Sequence, residues 1–316
     1  MTQYRKSLPQ LGGDFFLTDG GIETTLIFLE GMELPDFAAF HLLKRKEGVE
    51  ALRRYFRTYA ALAQRHGTGL VLESPTWRAS ADWGAKLGYG AKEIVEANRG
   101  AIALMEEVRA EVRGKAVISG CIGPRGDGYQ PGKRMSAREA EAYHATQVRA
   151  FEDSAADMVA AITMNYPEEA IGIANAAKEA GMPVAVSFTV ETDGRLPAGM
   201  TLGAAIERVE TFTSAYPAYY MINCAHPAHF EAVLGAGEAW AKRIRGLRAN
   251  ASRKSHAELN DSTELDIGDP AELAREHAAL KRRLPQLNVL GGCCGTDHRH
   301  VDQIAAACAP LFPKAA

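Results

Sequence analysis

Short apolar runs rich in β-branched and aromatic residues alternate along this chain with longer stretches of helical spacing, and that alternation restricts its fold more than any other feature. Eight such runs stand in the 316 residues: DFFLTDGG (14–21), GLVLESPT (69–76), KAVISGCIGP (115–124), DMVAAITMN (157–165), PVAVSFTV (183–190), AYYMINCA (218–225), RIRGLRAN (243–250) and LNVLGGCCG (287–295). Between them apolar residues return every three or four positions, as in 137–155 (AREAEAYHATQVRAFEDSA) and 168–181 (EEAIGIANAAKEAG), the second stopping at Gly181. Strands that are each followed by a helix pair in parallel, because the helix carries the chain back to the starting edge. Eight such units close into a (β/α)8 barrel. An open doubly wound sheet is the alternative, but no G-x-G-x-x-G follows the first run. The expectation is one TIM-type (β/α)8 barrel domain over residues 1–316, with its site at the C-terminal ends of the strands.

Composition narrows the class of partner. With 36 Lys and Arg against 39 Asp and Glu the net charge is −3, and no basic block marks a nucleic-acid or anionic-membrane surface. No run of 18 apolar residues is present to span a membrane, and the opening MTQYRKSLPQLGGDFF lacks an apolar signal core. Five cysteines without a secretion signal point to the reducing cytoplasm, where clustered cysteines serve metals or catalysis rather than disulfides. A homo-oligomer is compatible with all of this.

In a barrel the chemistry sits where strands end. The expected ends carry Asp19, Gly20 and Gly21; Glu73, with Trp77 beyond it; Asn223 and Cys224; Asn250; and Cys293 and Cys294. Cys121 and Cys308 read as small core residues. Three thiolates from two strand ends make a soft site suited to Zn2+, and three protein ligands leave one position open, the mark of a catalytic ion. Neighbouring side chains on a strand point to opposite faces, so Cys293 and Cys294 meet one ion only if the strand has ended. Gly291, Gly292 and Gly295 are expected to give the backbone that freedom. An open position among thiolates suits a thiol, which zinc keeps deprotonated and nucleophilic at neutral pH. A metal-free redox switch at Cys293–Cys294 is the rival reading.

DGGIETTL (19–26), INCAHP (222–227) and LGGCCGT (290–296) resemble the homocysteine S-methyltransferase family, and the similarity runs from about residue 14 to 308. The resemblance implies the same barrel, with Cys224, Cys293 and Cys294 as zinc ligands and catalytic centre. It implies that Asp19, Gly20 and Gly21 contact the amino-acid part of homocysteine, and that Asn250 is a candidate fourth ligand when no thiol is bound. Glu73, Trp77, Thr163 and Asn223 complete the expected substrate-binding set. The activity implied is transfer of a methyl group from a sulfonium or other onium donor, S-methylmethionine favoured, to the metal-activated thiolate of homocysteine, giving methionine.

The chain departs from the family at several positions. Ile162 stands where the fourth strand of the family ends in a glutamate that holds the substrate ammonium, so a different thiol or donor, or a zinc-binding barrel without catalysis, is the alternative. Glu168 and Glu169 are expected to serve the start of a helix. Trp77 offers its ring to an onium cation or packs at the rim. Arg78 is expected to point away from a cationic donor or to bind a carboxylate. Asp297, His298 and His300 are expected at a helix start rather than on a metal. The polar segments 189–201 and 251–269 are placed to border the mouth.

Overall fold

The computed structural model describes residues 2–235 and 237–313. Its strands are β1 (Phe16–Leu17), β2 (Gly69–Glu73), β3 (Ala116–Ile122), β4 (Met158–Met164), β5 (Val184–Phe188), β6 (Tyr219–Asn223), β7 (Ile244–Ala249) and β8 (Val289–Gly292). They pair in parallel in sequence order, and β8 closes on β1. The helices are α1 (Lys46–His66), α2 (Ala81–Lys86), α3 (Ala91–Glu111), α4 (Ala137–Glu152), α5 (Pro167–Glu179), α6 (Leu202–Thr213), α7 (Pro227–Phe230), α8 (His256–Asn260), α9 (Pro270–Arg283) and α10 (His298–Cys308). This is the expected (β/α)8 barrel. No helix among the described residues is long and apolar enough to cross a membrane.

Each strand lies inside the run expected for it. The expected strand at 14–21 contracts most, to two residues, although its contacts with the β8 segment continue: Thr18 N donates to Leu290 O at 2.9 Å, Gly292 N to Asp19 O at 3.0 Å and Gly21 N to Thr296 O at 3.0 Å. The first turn after β1 is therefore bonded to the turn after β8. Both apolar shells follow from strand alternation. One face of each strand packs under the helices, and Phe16, Val71, Val117, Met158 and Ile162 fill the barrel interior. The segment 251–269 holds a short helix, α8, where only a loop was expected. Ser255 accepts from Glu258 N and the Glu258 carboxylate accepts from Ser255 N, a capping box whose S-x-x-E spacing is visible in the sequence.

Above the apolar interior lies a charged layer that periodicity does not reveal. Arg248 on β7 is 7% exposed and reaches across the barrel. Its Nη2 donates to Asp19 at 2.5 Å, its Nη1 to Glu73 at 3.3 Å and its Nε to Gly292 O at 3.3 Å. Tyr55, from α1, donates to the other Asp19 oxygen at 2.9 Å. Burial raises the Glu73 carboxyl to about 7 against the opposing pull of Arg248, and raises Asp19 for the same reason. Removing one partner of a buried ion pair strands the others and costs about 3–5 kcal/mol. Arg248→Met should therefore lose about that much stability at pH 8 by urea unfolding. The loss should shrink toward pH 5, because the Glu73 carboxyl, raised to about 7, then protonates and no longer needs a cation. Equal losses at both pH values would contradict this.

Candidate active site

The two strand ends that carry the cysteines are shaped differently. At the end of β6, Cys224 takes a left-handed backbone, φ 52°. Thr163 opposite has φ 66°, at a bulge where the β4–β5 register shifts between Ala161 and Met164. For a β-branched residue that is a genuine outlier, of the order of 1–3 kcal/mol, and such strain clusters at working sites. Asn223 holds the two together. Its Oδ1 accepts from Thr163 N at 3.0 Å and Ser187 Oγ at 2.6 Å, and its Nδ2 donates to Thr163 Oγ1 at 2.8 Å. The same Nδ2 faces Cys293 Sγ at 4.0 Å, and Thr163 Oγ1 lies 3.9 Å from Cys224 Sγ. Asn223 and Thr163 thus border the sulfurs.

At the other end β8 stops at Gly292, and Cys293 and Cys294 occupy the turn that follows. Cys293 N donates to Ala249 O at 2.8 Å and Ala251 N to Cys294 O at 3.0 Å, which pins this turn to the end of β7. The glycines work differently from the expectation. Gly295 alone of the three has positive φ, 77°, while Gly291 and Gly292 stay in the strand, where their lack of a side chain leaves room for Thr18 and Thr296. Gly21 is needed for the same reason: a Cβ there would stand 2.6 Å from Cys293 O.

The three sulfurs lie within 4.8 Å of one another, among described residues the one such metal-capable group of His, Cys, Asp or Glu. Cys224 Sγ and Cys293 Sγ lie in direct contact, and Cys294 Sγ is 4.0 Å from Cys224 Sγ. A tetrahedral ion with Zn–S bonds of about 2.3 Å separates its sulfurs by about 3.8 Å, so a reduced trio needs little rearrangement to hold one. Asn250 is 2% exposed and its Oδ1 has no partner among the described residues. It follows β7 in the segment bonded to the cysteine turn, so three soft sulfurs and one buried, unclaimed oxygen fit zinc. Cys224 is buried and Cys294 exposed, so the trio opens toward solvent.

Other expected residues are placed as follows. Asp19 and Glu73 belong to the Arg248 layer, so their charge is already met within the protein. Gly20 abuts the Tyr59 hydroxyl and Thr296. Ile162 is 6% exposed and belongs to the apolar barrel interior. Trp77 donates to Ile162 O at 3.2 Å, and the Arg78 guanidinium lies 4.1 Å from its ring centre and 3.6 Å from that of Trp83. A protein cation therefore covers one face of the ring offered to an onium donor. Glu169 is bound by His144 and Arg125 N, Glu168 by Arg208, and Asp297 caps α10 and pairs with Arg299. Cys121 and Cys308 are core residues.

Residues not expected from the sequence also border the mouth. His256, in α8, donates through Nε2 to Cys224 O at 2.6 Å and contacts Glu191, from the segment after β5, at 3.1 Å. Tyr129 stacks on the His256 ring at 4.1 Å, and its hydroxyl lies 3.7 Å from Cys294 Sγ. Segments 189–201 and 251–269 therefore meet through Glu191 and His256, and Tyr129 links His256 to the cysteine turn. Glu23, in DGGIETTL, was read only as part of a motif; burial lifts its carboxyl to about 7, a nearby Asp19 adding to the rise. The polar, aromatic content of these loops was legible, but not which residues turn inward.

Comparison with solved structures agrees with this architecture. The homocysteine methyltransferase MmuM from Escherichia coli in its metallated form superposes with a TM-score of 0.73 at 20% identity, covering 93% of this chain and 96% of that one. Its oxidised form gives 0.73 at 19% identity and its apo form 0.66 at 18%, each with the same coverage. At these identities the likeness establishes the fold. No curated protein sequence matches the chain. The sequence model of the homocysteine S-methyltransferases matches residues 16–308, nearly the whole barrel, and the chain belongs to that family of thiol methyltransferases.

Proposed function

We propose that this chain is a zinc-dependent homocysteine S-methyltransferase that draws its methyl group from a sulfonium donor, with S-methylmethionine the first choice. The observation that carries the reading is the convergence of Cys224, Cys293 and Cys294 at an open barrel mouth. Asn250, in the segment bonded to the cysteine turn, has a buried oxygen without a partner among the described residues. Zinc held there by the three cysteines would keep an incoming thiol deprotonated at neutral pH. Asn250 would offer an oxygen as a fourth ligand when no thiol is bound.

The remaining work falls to the chain. Asn223 and the strained Thr163 and Cys224 backbones fix the sulfurs before substrate arrives, so that little reorganisation accompanies reaction. Tyr129 and His256 roof the site and limit water beside the nucleophile. The thiolate sulfur then displaces the sulfonium: a C–S bond forms to the methyl carbon, the methyl–sulfonium bond breaks, and its electron pair stays with a neutral thioether. No proton moves in that step, so no general base is required. The reading takes residues 1–316 as one barrel domain working on small molecules in the cytoplasm, where the cysteines stay reduced. The apolar Ile162 favours a second reading, in which the acceptor is a thiol without an amino group.

Reduced, zinc-loaded protein given homocysteine and S-methylmethionine should yield methionine by mass spectrometry. Cys294→Ser should lose bound zinc and more than about a hundredfold of that rate, beyond what loss of a supporting contact costs. Product formed only from a thiol lacking the amino group would select the second reading. Undiminished turnover by the metal-free variant would overturn the role of zinc.

A further inference from the structure

The sulfur trio fixes only the thiol end of a substrate; charged groups around the mouth decide what stands at the other end. Most carboxylates near it are committed. Asp19 and Glu73 share Arg248, Glu169 takes His144 and Arg125 N, Glu168 pairs with Arg208, and Glu191 contacts His256. Asp127 accepts the backbone N–H groups of Tyr129 and Gln130 at 2.8 and 2.9 Å. Glu23 differs. Its side chain is half-buried and makes no ion pair among the described residues.

Its position is fixed by its neighbours. Gly21 abuts Cys293 O, and Thr24 Oγ1 accepts from Gly295 N at 3.0 Å, so Glu23 sits on a turn laid against the cysteine loop. Arg78 is 6% exposed and makes no ion pair among the described residues; burial lowers its guanidinium to about 10 against the pull first of Asp127 and then of Glu23. Arg78 Nη1 donates to Gly126 O at 3.1 Å, but its buried Nε has no acceptor among the described residues. Two tryptophan rings hold the guanidinium flat, which prepares a planar fork for a carboxylate. An acid and a base are thus left without ion-pair partners, on adjacent loops beside the sulfurs. Isolated buried charges are costly, and a ligand carrying both opposite charges would relieve the two together.

We propose that Glu23 and Arg78 hold the α-ammonium and the α-carboxylate of an amino-acid thiol whose sulfur reaches the Cys224, Cys293 and Cys294 centre. The proposal rests on the thiol-binding function above and names its substrate class: a zwitterion, read by the loops after β1 and β2, with the apolar Ile162 taking no part in charge recognition. The raised Glu23 carboxyl agrees with a group that lacks its cation until substrate binds.

The test is isothermal titration of reduced, zinc-loaded protein with three thiols: homocysteine, 4-sulfanylbutanoate, which lacks the ammonium, and 3-sulfanylpropan-1-amine, which lacks the carboxylate. Homocysteine should bind tightest. Glu23→Gln should weaken homocysteine and 3-sulfanylpropan-1-amine about tenfold or more and leave 4-sulfanylbutanoate unchanged. Arg78→Gln should do the converse, weakening the two carboxylates and sparing the amine. Retained zinc and retained binding of the spared thiol show that each variant is folded. If wild-type protein binds all three thiols and the variants weaken them equally or not at all, the pair is wrong and thiol binding stands. If wild-type protein binds none of the three, the proposed function falls and the pair with it.

Discussion

Side chains on a β-strand alternate between faces, so two consecutive cysteines cannot meet a third at one point while the strand persists. The rest of the site depends on how the chain escapes that rule. β8 simply ends, and Cys293 and Cys294 fall in a turn whose left-handed position belongs to Gly295. β6 has no glycine there, and Cys224 itself adopts a positive φ. Such a backbone persists only where its surroundings enforce it. Asn223 provides the enforcement, with hydrogen bonds to Thr163 on β4 and Ser187 on β5. The sulfur positions are thus set by four strand ends, although only two carry cysteine.

Beneath the sulfurs the barrel changes from apolar to charged within one layer. Arg248 lies between Asp19 and Glu73, so the carboxylates that the motif and the strand ends first suggest for substrate are already engaged. Through Arg248 they also tie the β1 turn to the β7–β8 edge on which the cysteine loop rests. The mouth keeps its free charge one step further out, on Glu23 and Arg78, whose loops border the opening. Separating a neutralised floor from an unpaired rim allows a polar substrate to be held without isolating charge in the barrel centre.

The barrel and its sulfur centre were legible because each left a local signature. Short apolar, β-rich runs separated by helical spacing mark all eight strands, and GGCCG with an upstream Asn-Cys marks the metal-capable trio. Arg248 is one of three arginines in the RIRGLRAN run, and nothing local marks which of them turns into the barrel. Tyr129 and His256 were unreadable for a different reason. Their contact joins loops 127 positions apart in sequence, and no local pattern specifies which polar loop residue turns inward. Ser255-x-x-Glu258 did announce the helix that carries His256, and was passed over within a polar segment.

The central claim is that three cysteines hold one zinc and leave a place for a thiol. Zinc K-edge X-ray absorption of the reduced protein, with and without homocysteine, tests it most directly. The account predicts three sulfur neighbours at about 2.3 Å and one nitrogen or oxygen neighbour in the free protein, with four sulfurs once homocysteine is added. A zinc shell with fewer than three sulfurs, or one that homocysteine leaves unchanged, would contradict it.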